Sequence, residues 1–179
     1  MKIIAFTGAG ISKSAGIPTF EEIEGIKDKL SVEFKNSHPV EFKEALETLK
    51  KNVKDKEPTL AHKLLAEYKV PIITMNVDGL HQAAGSKDVI EIHGNALKNN
   101  IVLYGQELLR SDDAVTLILK TANDAKRANE EAILLVIGTS MGTSFANIIV
   151  YLAQSRGIKV HFINQDADNE VKEFFSQIP

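Results

Sequence analysis

The chain has 179 residues, 44% of them hydrophobic and 25% charged, with a net charge of -3. That is enough chain for one domain with a substantial core, and the charge balance excludes the basic footprint of a nucleic-acid binder. There are no cysteines, which excludes disulfides, a thiolate zinc ribbon, an iron–sulfur cluster and a cysteine nucleophile.

Lys2–Thr7 is apolar and β-rich, and it runs into the glycine turn Gly8-Ala9-Gly10. Glycines here remove the Cβ that would keep the backbone from a pyrophosphate, and Ser12 or Ser14 is placed to cap a following helix. The pattern G-x-G-x-x-G is only half met, because Lys13 follows Ser12 and the next glycine is Gly16. By itself the loop reads equally as a plain strand-to-helix turn.

Downstream, Phe42, Ala45, Leu46 and Leu49 repeat at helical spacing and predict a helix over Pro39–Lys51. The basic run Lys50–Lys56 reads as a solvated helix end and loop. Further helices are expected over Pro58–Tyr68, Ser111–Asn129, Asn147–Arg156 (ended by Gly157) and Val171–Phe175. Strands are expected at Val70–Met75, Val89–Ile92, Ile101–Tyr104, Ala132–Ile137 and Lys159–Ile163. Their near-continuous Val, Ile and Leu suit strands buried on both faces.

Strands alternating with helices imply an α/β fold: a doubly wound, mostly parallel, Rossmann-like sheet with helices on both faces. Ligands bind such sheets beyond the carboxyl ends of the strands. That rule selects the loops Gly8–Ile17, Asn76–His81, His93–Asn95, Gly138–Ser144 and Asn164–Asp166, which hold much of the Gly, Asn, Asp, Ser and His. Asn76 and Asp78 offer complementary hydrogen bonds to a carboxamide, although Asp78 equally suits a helix cap. His93, at a strand end, titrates near neutral pH and is placed to accept a proton from a hydroxyl; packing is the ordinary fate of a lone histidine. Gly138, Thr139 and Ser140 suit phosphate or ribose contacts. No run approaches the roughly 20 apolar residues of a membrane span and no leader segment precedes the first strand, so a cytoplasmic protein is expected.

GAGISKSAGIP, TMNVDGLHQAAG, EIHGN, VIGTSMG and FINQD occur in that order, and together the sequence resembles the sirtuins, NAD-dependent protein deacylases. HPVEF, PTLAHKLLAEY and VLYGQEL resemble sirtuin segments as well, so the likeness covers nearly the whole chain. It implies a single NAD-binding domain over residues 1–179, with remnants of a small domain within 19–56. It implies that Gly8, Ala9, Gly10, Ile17, Gly138, Thr139, Ser140 and Asn164 hold NAD, and that Asn76 and Asp78 position its nicotinamide half. His93 is then the general base, acting after the acyl oxygen attacks the anomeric carbon and displaces nicotinamide, while His81 supports the nicotinamide loop or serves equally as a packing residue. The segment Val102–Leu108, with Val102, Tyr104 and Gly105, would pair with an acylated lysine peptide as an added strand; an ordinary edge strand is the competing reading.

Four departures from the family pattern stand out. Thr19-Phe20-Glu21 replaces the usual Asp-Phe-Arg, placing an acid where a cation is expected. Met75 replaces a glutamine. Only Ala96–Asn100 stands where the cysteine zinc module is normally inserted, so no metal is expected. The region after Asn164 is short, which puts part of an adenine pocket in doubt. The implied activity is removal of acyl groups from protein lysine with release of nicotinamide. NAD hydrolysis or ADP-ribosyl transfer is one alternative, and a non-catalytic nucleotide-binding module is another. Partners expected are the acylated lysine peptide and a second copy of the chain; neither nucleic acid nor a membrane is expected.

Overall fold

The structure is a computed structural model that describes residues 1–19 and 22–178. Five strands, β1 (Lys2–Thr7), β2 (Ile72–Thr74), β3 (Val89–Glu91), β4 (Ala132–Ile137) and β5 (Lys159–Ile163), form one sheet. All pairings are parallel and the order is β3-β2-β1-β4-β5. The chain order therefore reverses at the β1–β4 junction, where Lys2–Thr7 pairs residue for residue with Ala132–Ile137. Loops leaving a sheet at such a reversal open a crevice between them.

The eight helices of the described residues are α1 (Ile26–Lys29), α2 (Val32–Ser37), α3 (Pro39–Val53), α4 (Leu60–Glu67), α5 (Leu80–Ala83), α6 (Ser111–Ala128), α7 (Ser144–Ser155) and α8 (Ala167–Ser176). Alternate residues of each buried strand feed opposite cores. Ile4, Phe6, Leu134 and Val136 pack with Ile118 of α6 and Ile149 of α7. Ala5, Leu135, Ile137 and Ile163 pack on the other face with Leu65 of α4 and Val171 and Phe175 of α8. A third apolar cluster lies off the sheet, where Ile26, Leu30, Phe42, Ala45 and Leu49 of α1–α3 meet Val77, Ala96 and Leu103. No helix among the described residues is long and apolar enough to cross a membrane.

Two local expectations are corrected. Ile101–Tyr104 is not a strand. Its pairing is a single parallel bridge from Tyr104 to Ser31, with Tyr104 N–H donating to Leu30 O and Val32 N–H donating to Tyr104 O. The segment spends its backbone groups on the α1–α2 turn instead of on a sheet edge. After the glycine turn comes a 3₁₀ helix, Ala9–Ala15, ended by Gly16 at φ 70°. Neither Ser12 nor Ser14 caps it. Both lie inside the turn, and their hydroxyls donate to distant carboxylates at 2.7 Å, Ser12 to Asp78 and Ser14 to Asp168.

The candidate nucleotide site at the strand reversal

The loops after β1 and β4 touch backbone to backbone. Gly8 N–H donates to Ile137 O (2.9 Å) and Gly10 N–H to Gly138 O (2.8 Å). A Cβ on Gly10 would stand 2.6 Å from Gly138 Cα, and one on Gly8 would stand 2.7 Å from Gly138 O. These glycines are therefore required by contact between two loops, before any ligand is considered. Gly138, at φ 64°, occupies the left-handed region, and a Cβ there would fall onto Ile11 N. Asn164, just after β5, ties in the third loop, its Oδ1 accepting from Thr139 N–H at 3.1 Å.

Asn76 follows β2 and braces the same rim. Its Nδ2 donates to Gly8 O (3.1 Å) and Ser12 Oγ (3.2 Å). Ser12 in turn donates to Asp78 Oδ2, and Asp78 Oδ1 accepts from Leu80 N–H at 2.9 Å. Asp78 thus both accepts from the first N–H of α5, from the position before the Gly79 N-cap, and anchors Ser12. It is buried behind Ser12 and does not line the cavity. Ile17 does not line it either, but packs against the third apolar cluster.

That cavity measures about 1000 Å³ and is bounded by the loops after β1, β2, β3, β4 and β5 together with residues 101–108. Of the candidate residues, Gly8, Ala9, Gly10, Asn76, His93, Val102, Tyr104, Gly105, Gly138, Thr139, Ser140 and Asn164 all line it. His93 sits two residues beyond β3, on a turn fixed by Asn95, whose N–H donates to Asn100 Oδ1 (2.8 Å) and whose Oδ1 accepts from Leu97 N–H (3.0 Å). No side chain among the described residues bonds the His93 ring, so both its nitrogens are available to the cavity. Partial burial lowers its pKa from 6.5 by disfavouring the imidazolium.

A deeper polar cluster lies under the rim. Thr7 Oγ1 donates to Thr74 Oγ1 (2.8 Å) and meets His81 Nε2 (2.9 Å). Because the Thr7 hydrogen is given to Thr74, the pattern assigns the proton of His81 to Nε2. Likewise Thr59 Oγ1 donates to Ile11 O, which assigns the His62 proton to Nδ1, 2.7 Å from Thr59 Oγ1. The remaining nitrogens, His62 Nε2 and His81 Nδ1, are buried and have no partner among the described residues. The rings lie 4.5 Å apart. Burial pushes the His62 pKa down to about 4 against the pull of Asp78 and Asp168. Burial and then His62 push His81 well below 6.5. Both imidazoles are neutral props beneath the site.

Four of the five N–H groups of residues 102–106 are engaged within the protein, and Gly105 N–H has no partner among the described residues. Val102 donates to His93 O, Leu103 to Gln106 Oε1, Tyr104 to Leu30 O and Gln106 to Leu103 O. A peptide adding a strand here would find those donors engaged. Met75 lines the cavity, where its Sδ accepts from Thr143 Oγ1 at 3.6 Å. Glu21 lies outside the described residues. Sequence reasoning missed Ser12 as the link between Asn76 and Asp78, because the partners lie 64 and 66 positions away. It also passed over Lys13, which lines the cavity. A lysine three residues after a glycine turn was a readable signal; its lack of a partner was not. No group of three or more His, Asp or Glu among the described residues has metal-site geometry.

A sequence model of the Sir2 family matches residues 8–100. The NAD-dependent protein deacetylase of Sulfolobus acidocaldarius is 32% identical over 86% of this chain and 75% of its own. That of Saccharolobus solfataricus is 31% identical over 91% and 80%. The NAD-dependent protein deacylase of Aquifex aeolicus is 40% identical over 60% of this chain and 49% of its own. Among solved structures, a Sir2 complex with p53 peptide and NAD+ superposes with a TM-score of 0.81, at 24% identity, over 98% of this chain and 92% of that one. The sequence motifs, the strand reversal and these relatives agree, and the chain belongs to the Sir2 family.

Proposed function

We propose that the chain removes acyl groups from protein lysine in an NAD-dependent reaction that releases nicotinamide. The observation that carries this is the pairing of a free imidazole, His93, with the glycine rim Gly8–Gly10 and Gly138–Ser140 in one cavity at the strand reversal. Relatives named as NAD-dependent protein deacetylases and deacylases supply the reaction class.

The residues fit a dinucleotide, since the rim offers small residues at two strand ends and Asn164 stands beside Thr139. NAD, when bound, supplies an anomeric carbon with nicotinamide as leaving group. His93 takes a proton from a ribose hydroxyl, a role that needs the neutral ring its environment favours. Asn76 holds the carboxamide side with its Oδ1, because both hydrogens of its amide are committed to Gly8 and Ser12. Asp78 acts through Ser12 as a positioning residue. Val102 and Tyr104 contact the acyl-lysine peptide with their side chains, since their N–H groups are engaged. We read α1–α3 and their own apolar cluster as a reduced small domain on a one-domain chain.

The test is incubation with NAD and an acetyl-lysine peptide. Peptide-dependent nicotinamide release that disappears in His93→Ala is the expected result. Release by wild type without peptide would instead make water the acceptor, and undiminished release by the variant would refute the assignment of His93.

A further inference from the structure

The glycine rim is poor in free donors. Gly10 N–H is taken by Gly138 O and Ile11 N–H by Gly8 O, so two of the groups that a glycine loop would aim at a phosphate are engaged within the protein. A diphosphate carries two negative charges at neutral pH, and leaving them unpaired on entry into a partly closed cavity costs binding energy. The rim N–H groups left over, those of Ala9 and Ser140, carry no full charge, so a cationic side chain on the cavity wall would offset the diphosphate.

Among the described residues that line it, only Lys13 and Lys27 are cationic, and no arginine is present. Lys27 already has an interaction within the chain. Lys13 has no ion pair or side-chain hydrogen bond among the described residues. It stands on the 3₁₀ helix Ala9–Ala15, three residues after Gly10, and lines the same cavity as Gly8, Ala9 and Gly10. Its backbone is held in place, because Lys13 O accepts from Gly16 N–H at 2.9 Å. The anchored backbone and unengaged ammonium make an arm fixed at its base and free at its tip, next to the rim.

We propose that Lys13 is the cation that neutralises the dinucleotide's diphosphate. This rests on the NAD-binding reading above. The contact is made in ground state and transition state alike, so it acts on NAD affinity and leaves turnover at saturation unchanged. An exposed cation acting on a neighbouring anion through water changes affinity by about two- to fivefold, and salt screens the effect.

The experiment compares wild type, Lys13→Gln and Lys13→Arg by calorimetric titration with NAD and with ADP-ribose, at 50 and 300 mM NaCl, and by steady-state kinetics. Lys13→Gln is expected to weaken both ligands about two- to fivefold at low salt and less at high salt. KM for NAD should rise with kcat unchanged, nicotinamide inhibition should be unaffected, and Lys13→Arg should restore the wild-type values. Equal ADP-ribose affinity for wild type and Lys13→Gln at 50 mM NaCl would overturn the proposal while leaving NAD use intact. Failure of wild type to bind either ligand would overturn the underlying reading, and this proposal with it.

Discussion

Replacing Gly10 by alanine tests whether the glycine rim exists for loop contact. The new Cβ would lie 2.6 Å from Gly138 Cα, 2.9 Å from Gly138 O and 3.0 Å from Gly138 C. Ordinary carbon contacts need about 3.5–4.0 Å, so the two loops must part by roughly 1 Å. All three neighbours are backbone, and no flexible side chain can yield. Overpacking of this kind costs about 1–3 kcal/mol. Losing the Gly10 N–H···O bond to Gly138, 2.8 Å long, adds about 1 kcal/mol. The sum, about 2–4 kcal/mol, corresponds to a fall in Tm of about 4–16 °C for a chain of this size. Thermal unfolding should be followed with and without NAD, using Gly142→Ala as control. At Gly142 the nearest atom to an added Cβ is Ser140 Oγ at 3.4 Å, so a change within about 0.5 kcal/mol is expected. The Gly10 variant should also lose most of the stabilisation that NAD confers by binding the folded form. A Tm within 2 °C of wild type (an estimate from the same scaling) would refute the close-contact argument.

Two further predictions concern pH. Burial lowers the His93 pKa from 6.5, so kcat/KM should be level above neutrality and fall only on the acid side of 6.5; a midpoint above 7 would contradict the assigned base. His93→Ala should cut turnover by about 10²–10⁴-fold while leaving the melting temperature nearly unchanged, since the ring holds no partner among the described residues. His62 falls from 6.5 to about 4 on folding, so the unfolded chain binds more protons between those values. Stability is complete above 6.5 and is lost as pH falls toward 4, by about 3 kcal/mol in all and about 2 kcal/mol by pH 5. The urea midpoint should therefore drop between pH 7.5 and pH 5, and an unchanged midpoint would show that the His62–His81 pair is not buried neutral.

Strands and helices were legible because their signals are local. The runs Lys2–Thr7, Ala132–Ile137 and Lys159–Ile163 appear in the sheet with the expected bounds; for the first two, an apolar run has little alternative to a buried parallel strand, while the half-exposed Lys159–Ile163 forms the sheet edge. The fourth strand candidate, Ile101–Tyr104, failed because apolar content does not say which surface will bury it; the α1–α2 turn and the satellite cluster took it. Capping by Ser12 and Ser14 failed for a related reason, since a hydroxyl bonds the nearest good acceptor in space. For these two, that acceptor was a carboxylate 66 and 154 positions along the chain.

By itself the sequence determined the wound parallel fold, the edge of the sheet at which polar loops gather, and the family to which the motifs belong. Each depends on periodicity or on residue order, which a linear chain displays directly. The tertiary structure alone decided that Gly8 and Gly10 serve the Gly138 loop, that Asp78 stands behind Ser12, that the Val102, Leu103, Tyr104 and Gln106 donors are engaged, and that Lys13 is left unpaired on the cavity wall. These are contacts between groups far apart in sequence. The free energy of such a contact is set by distance and by competing partners, and neither is defined until the chain has closed on itself.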